Sequence, residues 1–268
     1  MSEKLKAFDV LNDQKQCYND RFREGYMKDF AGVFEASRLY TFKEILNNMK
    51  AEGFNPVDIL DYGCGEGRYI GILKEFFPES FIYGSDISDM GLSIAKKHYS
   101  FAQYISMSDE VVNFIDKSFD LIICIEVLEH VKDVKKSIKE IGRLLRHNGT
   151  VIITTPCSNK YSFEWTFNKL TKGLQQSFDG YNRFATDEPA HLRRLNDNDI
   201  IALFSKNDID IYKIYHRAHF FTTLMIWKPM VILPESVRVW IGLIDWHLFK
   251  NFPNGATMVA TGKKINIK

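Results

Sequence analysis

The feature that most constrains this chain is a glycine-rich turn that directly follows a short apolar segment. Residues 57–61 have the pattern of a buried β-strand, and Gly63, Gly65 and Gly67 follow at once. Glycines at the carboxyl end of a strand let the backbone turn sharply and approach a ligand closely. Ligands of open parallel sheets bind at this edge. The turn departs from the G-x-G-x-x-G dinucleotide fingerprint, because Arg68 occupies its sixth position, and this favours a cofactor other than NAD.

Strand and helix patterns alternate after this turn. Apolar runs predict strands at 57–61, 81–85, 102–106, 119–125, 150–155, 209–215 and 256–262. Helical periodicity falls between them, at 69–77, 91–98, 133–145 and 196–206. This rhythm is typical of a parallel sheet that is covered by helices on both faces. We therefore predict a doubly wound α/β fold, preceded by a helix whose apolar face lies within 35–49.

A carboxylate closes the second predicted strand. Asp86 lies about 20 residues past the glycines, where an acidic side chain contacts the ribose of a bound nucleotide. Its two oxygens can accept hydrogen bonds from both ribose hydroxyls of an adenosine. The alternative is that Asp86 only begins a turn.

Composition excludes some partners and predicts a compartment. The chain has 35 Lys and Arg against 34 Asp and Glu, so its charge gives no case for nucleic acid as the main partner. A positively charged start followed by an apolar run is absent, and the four cysteines are widely spaced without C-x-x-C spacing. We therefore expect reduced thiols and a cytoplasmic location.

Four segments, taken in order, resemble the class I S-adenosylmethionine-dependent methyltransferases. They are the turn at 61–67, Asp86, the segment 118–131 with its Glu-Val-Leu-Glu-His-Val ending, and 144–149 before a strand. The ubiquinone-pathway O-methyltransferases, and relatives acting on sugars and lipids, are the most similar. The resemblance implies a Rossmann-like, seven-stranded, mostly parallel sheet with an antiparallel last strand. It also implies four regions: a helical N-terminal cover at 1–55, a core at 56–218 with acceptor-site loops at 156–195, a helical insertion at 219–250, and a final strand within 251–268.

The same resemblance assigns the cofactor, S-adenosylmethionine, and its product S-adenosylhomocysteine. It implies that Gly63 and Gly65 pass under the methionyl part, that Asp61 holds the amino group, and that Arg38 meets the carboxylate. Asp86 would hold the ribose. The full set that the resemblance assigns to cofactor binding is Arg38, Asp61, Gly63, Cys64, Gly65, Asp86, Ile87, Ser108, Asp109 and Ile125. Within this set the adenine contact stays open between Asp109 and Ser108.

Candidate catalytic groups follow the strongest predicted strand. The pattern Glu126-Val-Leu-Glu129-His130, with His191 further along, resembles the metal site of small-RNA 3′-terminal 2′-O-methyltransferases. The resemblance implies that Glu126, Glu129, His130 and His191 hold Mg²⁺ or another divalent metal. Alternatively, His130, His191 and Glu126 act without a metal, with a histidine as general base. The third alternative is that these residues only shape the turn.

The aromatic segment 220–249 is interrupted by charges and prolines, which argues against a membrane-spanning helix. Four roles stay open for it: a lid over the acceptor, a dimer contact, a peripheral membrane contact, or packing on its own sheet. We expect O-methylation of a small-molecule, sugar or lipid-linked acceptor. The alternatives are an RNA 2′-O-methyltransferase with a metal site, a module that binds the cofactor without turnover, and, more distantly, a nicotinamide-dependent oxidoreductase. The oligomeric state stays open.

Overall fold

The computed structural model describes residues 13–25, 32–171, 173–226 and 228–265. Residues 1–12 and 26–31 of the predicted N-terminal cover lie outside the described residues. So do Lys172, Trp227 in the predicted insertion, and 266–268 after the last strand.

A central sheet of eight strands organises the described chain. In chain order these strands are β1 (Asp58–Tyr62), β2 (Phe81–Asp86), β3 (Gln103–Ser108), β4 (Val111–Val112), β5 (Phe119–Ile125), β6 (Leu145–Pro156), β9 (Ile209–Arg217) and β10 (Thr257–Lys264). Their spatial order is β4-β3-β2-β1-β5-β6-β10-β9. Strands β1, β2, β3, β5 and β6 run parallel, and β10 lies antiparallel between β6 and β9. A separate hairpin is formed by β7 (Leu174–Gln176) and β8 (Asn182–Phe184).

The sheet differs from the seven-stranded, mostly parallel prediction in one local detail. The additional strand β4 pairs antiparallel with β3 through a tight turn, and Ser108 lies opposite Val111. Asp109 and Glu110 form this turn with φ values of 55° and 63°. Positive φ at both central residues is the signature of a type I′ turn, which suits a two-residue hairpin. The result is a mixed sheet of eight strands.

Nine α-helices surround the sheets within the described ranges. They are α1 (Gln14–Arg23), α2 (Val33–Ala51), α3 (Arg68–Phe76), α4 (Asp89–His98), α5 (Val134–Leu144), α6 (Phe163–Thr171), α7 (Asp197–Ser205), α8 (Phe220–Met225) and α9 (Glu235–Phe249). A 3₁₀ turn at Lys228–Ile232 joins α8 to α9. Helix α6 and the β7–β8 hairpin lie in the stretch that sequence analysis treats as acceptor-site loops, and α8 and α9 lie in the predicted insertion.

Two apolar layers cover the two faces of the sheet. On one face, α5 and α7 bury Ile138, Ile141 and Phe204 against β5 and β6. On the other, α2 and α3 bury Phe42 and Ile70, among others. The apolar stripe of α5 points inward and its lysines point outward, as expected for a surface helix. Burial on both faces explains why β5 is apolar at every position except Asp120.

Across the described ranges, every helix is too short or too polar to cross a lipid bilayer.

Candidate active site

The glycine turn lies at the carboxyl end of β1 and begins α3. Gly63 has a φ of 81°, and its N–H donates to the Ser85 carbonyl oxygen at 2.7 Å. A side chain at this position would clash with Val127, so the turn requires glycine here. Gly67 caps α3 in the left-handed conformation. The turn thus runs close to both neighbouring strands and leaves its outer side open to a cavity of about 530 Å³.

Two buried carboxylates stand behind this turn. Asp86 accepts hydrogen bonds at 2.8 Å from the Gly65 and Ser88 N–H groups, and burial raises its pKa to about 6. Asp61 is 1% exposed, and both its oxygens lack a hydrogen-bond partner among the described residues. Burial, helped by the nearby Asp86 charge, raises the pKa of Asp61 well above its usual range. A buried acceptor without a donor is costly, so Asp61 suits a ligand that brings one.

A charged wall closes one side of the cavity. Arg38 is buried, and its guanidinium pairs with Glu35 at 2.8 Å and with Glu126 at 3.2 Å. Arg68 also pairs with Glu35, and Arg217 lies 3.9 Å from Glu126. These three arginines and two glutamates sum to one excess positive charge. Such a wall is suited to an anionic group.

A second cluster of titratable groups in the cavity lining is formed by the loop after β5 and by His191. Glu129, His130 and His191 each offer one ligand atom, and these three atoms lie within 4.8 Å of one another. The two imidazole rings are 4.9 Å apart, and the Glu129 Oε1 lies 4.0 Å from the His130 Nε2. The Leu192 N–H donates to the Glu129 carbonyl oxygen at 2.8 Å, which joins the 188–192 segment to this loop.

The hydrogen bonds of this cluster define its protonation. His130 Nδ1 lies 2.9 Å from the Ala190 carbonyl oxygen. Because a carbonyl oxygen only accepts, Nδ1 carries the proton and Nε2 keeps a free lone pair. Burial lowers the pKa of His130 to about 3 and that of His191 to about 4, so both rings are neutral near pH 7. Burial and the Glu126 charge raise the pKa of Glu129, whose Oε1 has no hydrogen-bond partner in the described chain.

Glu126 takes a different position from the metal ligand that the sequence predicts. One of its oxygens accepts from Arg38, and the other accepts from the Thr154 hydroxyl at 2.8 Å. Arg38 and Arg217 lower the pKa of Glu126 against the effect of its burial. Glu126 therefore belongs to the charged wall, and the three close ligand atoms come from Glu129, His130 and His191.

The remaining sequence-predicted residues divide between two cavities. Cys64, Ile87 and Ile125 line the main cavity together with the glycine turn. Ser108 and Asp109 line a second cavity of about 450 Å³, which shares Ile87 and other residues with the first. The Asp109 side chain is 77% exposed and pairs with Lys136 at 2.7 Å, because the type I′ turn directs it outward.

Sequence analysis missed four residues that shape this site. Glu110 is buried, lines both cavities, and accepts from the Lys132 N–H at 3.0 Å. Gln14 of α1 donates to the His130 carbonyl oxygen at 2.6 Å, and Phe22 of α1 packs beside Gly65. Arg193 is fully buried and donates to the Leu128, Val131 and Lys132 carbonyl oxygens, which fixes the 128–132 loop. The partners in these contacts are far apart along the chain, so no local sequence pattern predicts them.

S-adenosylmethionine fits the residues present at this edge. The unpartnered Asp61 suits an ammonium group, and the excess positive charge beside Arg38 suits a carboxylate. Asp86 retains lone pairs for two hydroxyls beside the backbone hydrogen bonds it already accepts. When bound, this cofactor supplies a methyl group on a positively charged sulfur.

Comparisons with known proteins identify a family and a fold. Residues 60–153 match the methyltransferase domain family. An uncharacterized protein of Methanocaldococcus jannaschii, MJ0638, is 33% identical over 216 residues, which cover 80% of this chain and 81% of that protein. A ubiquinone biosynthesis O-methyltransferase of Coxiella burnetii is 30% identical over 128 residues, or 43% of this chain and 53% of that enzyme. The chain thus spans about half the length of that relative.

Solved structures share the fold at lower identity. A SAM-dependent methyltransferase of Thermotoga maritima aligns with a TM-score of 0.59 and 18% identity, covering 92% of this chain and 98% of that one. The 1,6-didemethyltoxoflavin-N1-methyltransferase of Burkholderia thailandensis, solved with S-adenosylhomocysteine, aligns with a TM-score of 0.56 and 14% identity, covering 99% and 93%. From the glycine turn, the fold and these matches together, we conclude that the chain belongs to the class I S-adenosylmethionine-dependent methyltransferases.

Proposed function

We propose that this methyltransferase transfers its methyl group to an oxygen atom of a small-molecule, sugar or lipid-linked acceptor. The observation that carries the proposal is the cluster after β5, where His130 keeps a free lone pair at Nε2 and lines the cavity. A hydroxyl must lose its proton to become a good nucleophile, and a positioned imidazole is the commonest group that accepts one. Transfer itself then depends mainly on alignment.

The chain supplies binding and proton transfer from separate elements. Asp61, Asp86 and Arg38 hold the cofactor, as proposed from the family resemblance, while His130 Nε2 accepts the hydroxyl proton. The Glu129 carboxyl lies 4.0 Å from that nitrogen. Burial raises its pKa while His130 is neutral, and the positive charge of a protonated His130 favours the carboxylate form, which then pairs with it. Because Ala190 holds Nδ1, the ring keeps the orientation and the tautomer that a base requires.

The insertion at 219–250 is attached to the N-terminal helix α2. In α9, Trp246 is buried and donates to Glu44 of α2 at 2.8 Å, so the insertion packs on the N-terminal helix. Ala256 and Thr257, which follow the insertion, line the main cavity. We propose that 219–250 forms a lid over the acceptor, attached to the core that spans 56–218.

A metal-assisted form of the same reaction is the second candidate, and the Glu129, His130 and His191 cluster favours it. Two neutral imidazoles and one carboxylate are a donor set that suits zinc, manganese or iron better than Mg²⁺. In this form the same three residues hold the ion, which would lower the pKa of a bound hydroxyl. RNA as the acceptor would use this form, but the balanced overall charge does not favour it.

The test is methyl transfer from radiolabelled S-adenosylmethionine to a panel of catechols, sugars, prenylated phenols and short RNAs. Each acceptor is assayed with a chelator, and then with Mg²⁺, Mn²⁺ or Zn²⁺ added back. Label on a hydroxylated small molecule that persists with the chelator supports His130 as base, whereas loss and recovery with Mn²⁺ or Zn²⁺ supports the metal form. Label only on amines or RNA, or cofactor binding without any product, would contradict the proposal.

A further inference from the structure

Helix α6 has the reverse of the usual amphipathic pattern. Its inward face is polar: Asn168 is 1% exposed and donates to the Thr186 hydroxyl at 3.0 Å, and Glu164 pairs with Arg194 at 2.6 Å. A helix on the surface of a soluble domain normally turns its apolar stripe inward. Here the polar side chains attach the helix to the rest of the protein, and its other face is exposed to solvent.

The outward face of α6 is apolar and continues into the neighbouring hairpin. Phe163, Phe167 and Leu170 follow i, i+4, i+7 spacing and are 52%, 44% and 78% exposed. Tyr161 precedes the helix and Leu174 and Phe178 follow it, all three exposed. We define the α6 surface as Tyr161, Phe163, Phe167, Leu170, Leu174 and Phe178. An apolar surface of this kind indicates a binding partner.

The charges around this surface indicate which partner. Residues 160–179 contain three lysines and two acidic residues. Both acids pair with buried arginines, Glu164 with Arg194 and Asp179 with Arg193. Lys160 and Lys169 are exposed. Aromatic side chains beside lysines are typical of segments that lie in the headgroup region of a bilayer. Lysines near anionic headgroups strengthen such binding by electrostatic attraction.

A second copy of the chain is a less favourable partner for the α6 surface, because of the charges around it. In a two-fold dimer the same patch meets itself, so two surfaces that each carry the exposed Lys160 and Lys169 would face each other. Like charges that face each other across an interface oppose association. An anionic bilayer meets both the aromatic face and the lysines favourably.

We propose that the α6 surface docks this methyltransferase on an anionic lipid bilayer. Helix α6 follows the carboxyl end of β6, and Glu164 on its inner face lines the main cavity. Docking therefore brings the membrane to the cavity mouth, where an acceptor dissolved in the bilayer can enter. The proposal does not depend on the acceptor atom or on the proton acceptor proposed above.

Sedimentation with lipid vesicles tests the proposal. The full chain is mixed with vesicles of phosphatidylcholine alone, or of equal parts phosphatidylcholine and phosphatidylglycerol. We expect the chain to sediment with the mixed vesicles. Combined Phe163→Ser, Phe167→Ser and Leu170→Ser should weaken this partitioning at least about tenfold, because three exposed apolar side chains are lost from the contact.

Two further variants separate charge from apolar contact and one surface from another. Combined Lys160→Glu and Lys169→Glu should weaken partitioning into mixed vesicles about tenfold or more. The matched control is Val231→Ser with Ile232→Ser, which removes 60% and 87% exposed side chains from the predicted insertion and should leave partitioning unchanged. Unchanged titration with S-adenosylhomocysteine verifies that each variant is folded.

Three results would overturn the proposal. The first is a wild-type chain that stays in solution with mixed vesicles. The second is a control variant that loses as much partitioning as the α6 variant, which would assign docking to the insertion. The third is a concentration-dependent dimer, measured by light scattering, that the α6 variant abolishes, because the surface would then bind a second copy.

Discussion

Two parts of this molecule distribute polarity differently, and we name them the cofactor half and the acceptor half after the roles proposed above. In the cofactor half, around β1, β2 and β3, apolar side chains fill the core and the polar groups face the cavity. In the acceptor half, at 157–196 and 218–256, Asn168, Arg193 and Asp245 are buried while Leu170 and Trp240 are exposed. In the cofactor half, buried apolar side chains support the polar groups of the site. In the acceptor half, buried hydrogen bonds attach the helices, and apolar side chains stay exposed to other contacts.

Asp245 illustrates how the acceptor half is held. It is 1% exposed and accepts hydrogen bonds from the Phe221 and Thr222 N–H groups, at 3.0 and 2.6 Å, at the start of α8. These donors would otherwise be unsatisfied at a helix start. The contact adds buried hydrogen bonds to the stacking of Phe249 in α9 on Phe221 in α8. Other apolar side chains of α9, such as Trp240, stay exposed.

The largest effect is expected at the proton acceptor. Replacing His130 by Asn removes the Nε2 lone pair and should lower the turnover number about 100- to 10,000-fold. S-adenosylhomocysteine should still bind within about threefold, because Asp61 and Asp86 lie on other strands. Steady-state kinetics and calorimetry on one preparation measure both quantities. His147→Asn, an exposed histidine outside the cavity lining, is the control. Equal losses of turnover and of cofactor affinity would show that His130 serves cofactor binding rather than proton transfer.

Alanine substitutions at two glycines test whether the turn at Gly63 contacts the cofactor. Gly63 and Gly53 have φ values of 81° and 84°, so alanine should cost about 1–2 kcal/mol of folding free energy at either position. Only at Gly63 does the added methyl also meet a side chain, that of Val127. We expect Gly63→Ala to weaken S-adenosylhomocysteine binding at least about tenfold and Gly53→Ala to leave it unchanged. Similar affinities for the two variants would show that the turn does not approach the cofactor.

The pH dependence of cofactor binding tests the role of Asp86. Burial raises its pKa in the folded chain to about 6, above about 3.9 in an unfolded chain. The folded chain therefore binds the extra proton between those values, and its free energy of unfolding falls as the pH rises through that window. The ribose needs the charged form, so affinity for S-adenosylhomocysteine should weaken about tenfold per unit below pH 6. Asp86→Asn should bind weakly at every pH, and a pH-independent wild type would argue against the assignment.

The smallest effect is expected at Asp109. Its side chain is exposed and pairs with Lys136 outside the main cavity. Asp109→Ala should change affinity for S-adenosylhomocysteine less than about twofold, since exposed ion pairs contribute little. Glu110→Gln, at the buried neighbour that lines both cavities, is the paired comparison and should have the larger effect. A larger loss of affinity in Asp109→Ala than in Glu110→Gln would favour Asp109 as the adenine contact.

Much of the cofactor half was predictable because its signals are local. The strand before Gly63, the glycine spacing and the carboxylate Asp86 all lie within about 30 residues, and each follows from a strand end at one edge of a parallel sheet. The eighth strand was missed, because Asp109 and Glu110 adopt positive φ without a glycine, which sequence patterns do not indicate.

The loop after β5 and the acceptor half were less predictable because their contacts are long-range. Glu126 is predicted to join Glu129, His130 and His191, yet it pairs with Arg38, 88 residues away. The inverted polarity of α6 depends on Arg194 and Thr186, which lie far along the chain from Glu164 and Asn168. A polar residue that is buried against a partner far along the chain cannot be distinguished in sequence from a surface residue. The segment around it is therefore predicted to be a loop.

Calorimetric titration with S-adenosylhomocysteine, on the wild type and on Asp86→Ala, tests the central claim most directly. The account predicts saturable binding at one site in the wild type. It also predicts loss of that binding in the variant, with the melting transition of the ligand-free protein retained. A wild-type chain that releases no heat with this ligand, or a variant that binds it equally well, would contradict the assignment of this edge of the sheet as the cofactor site.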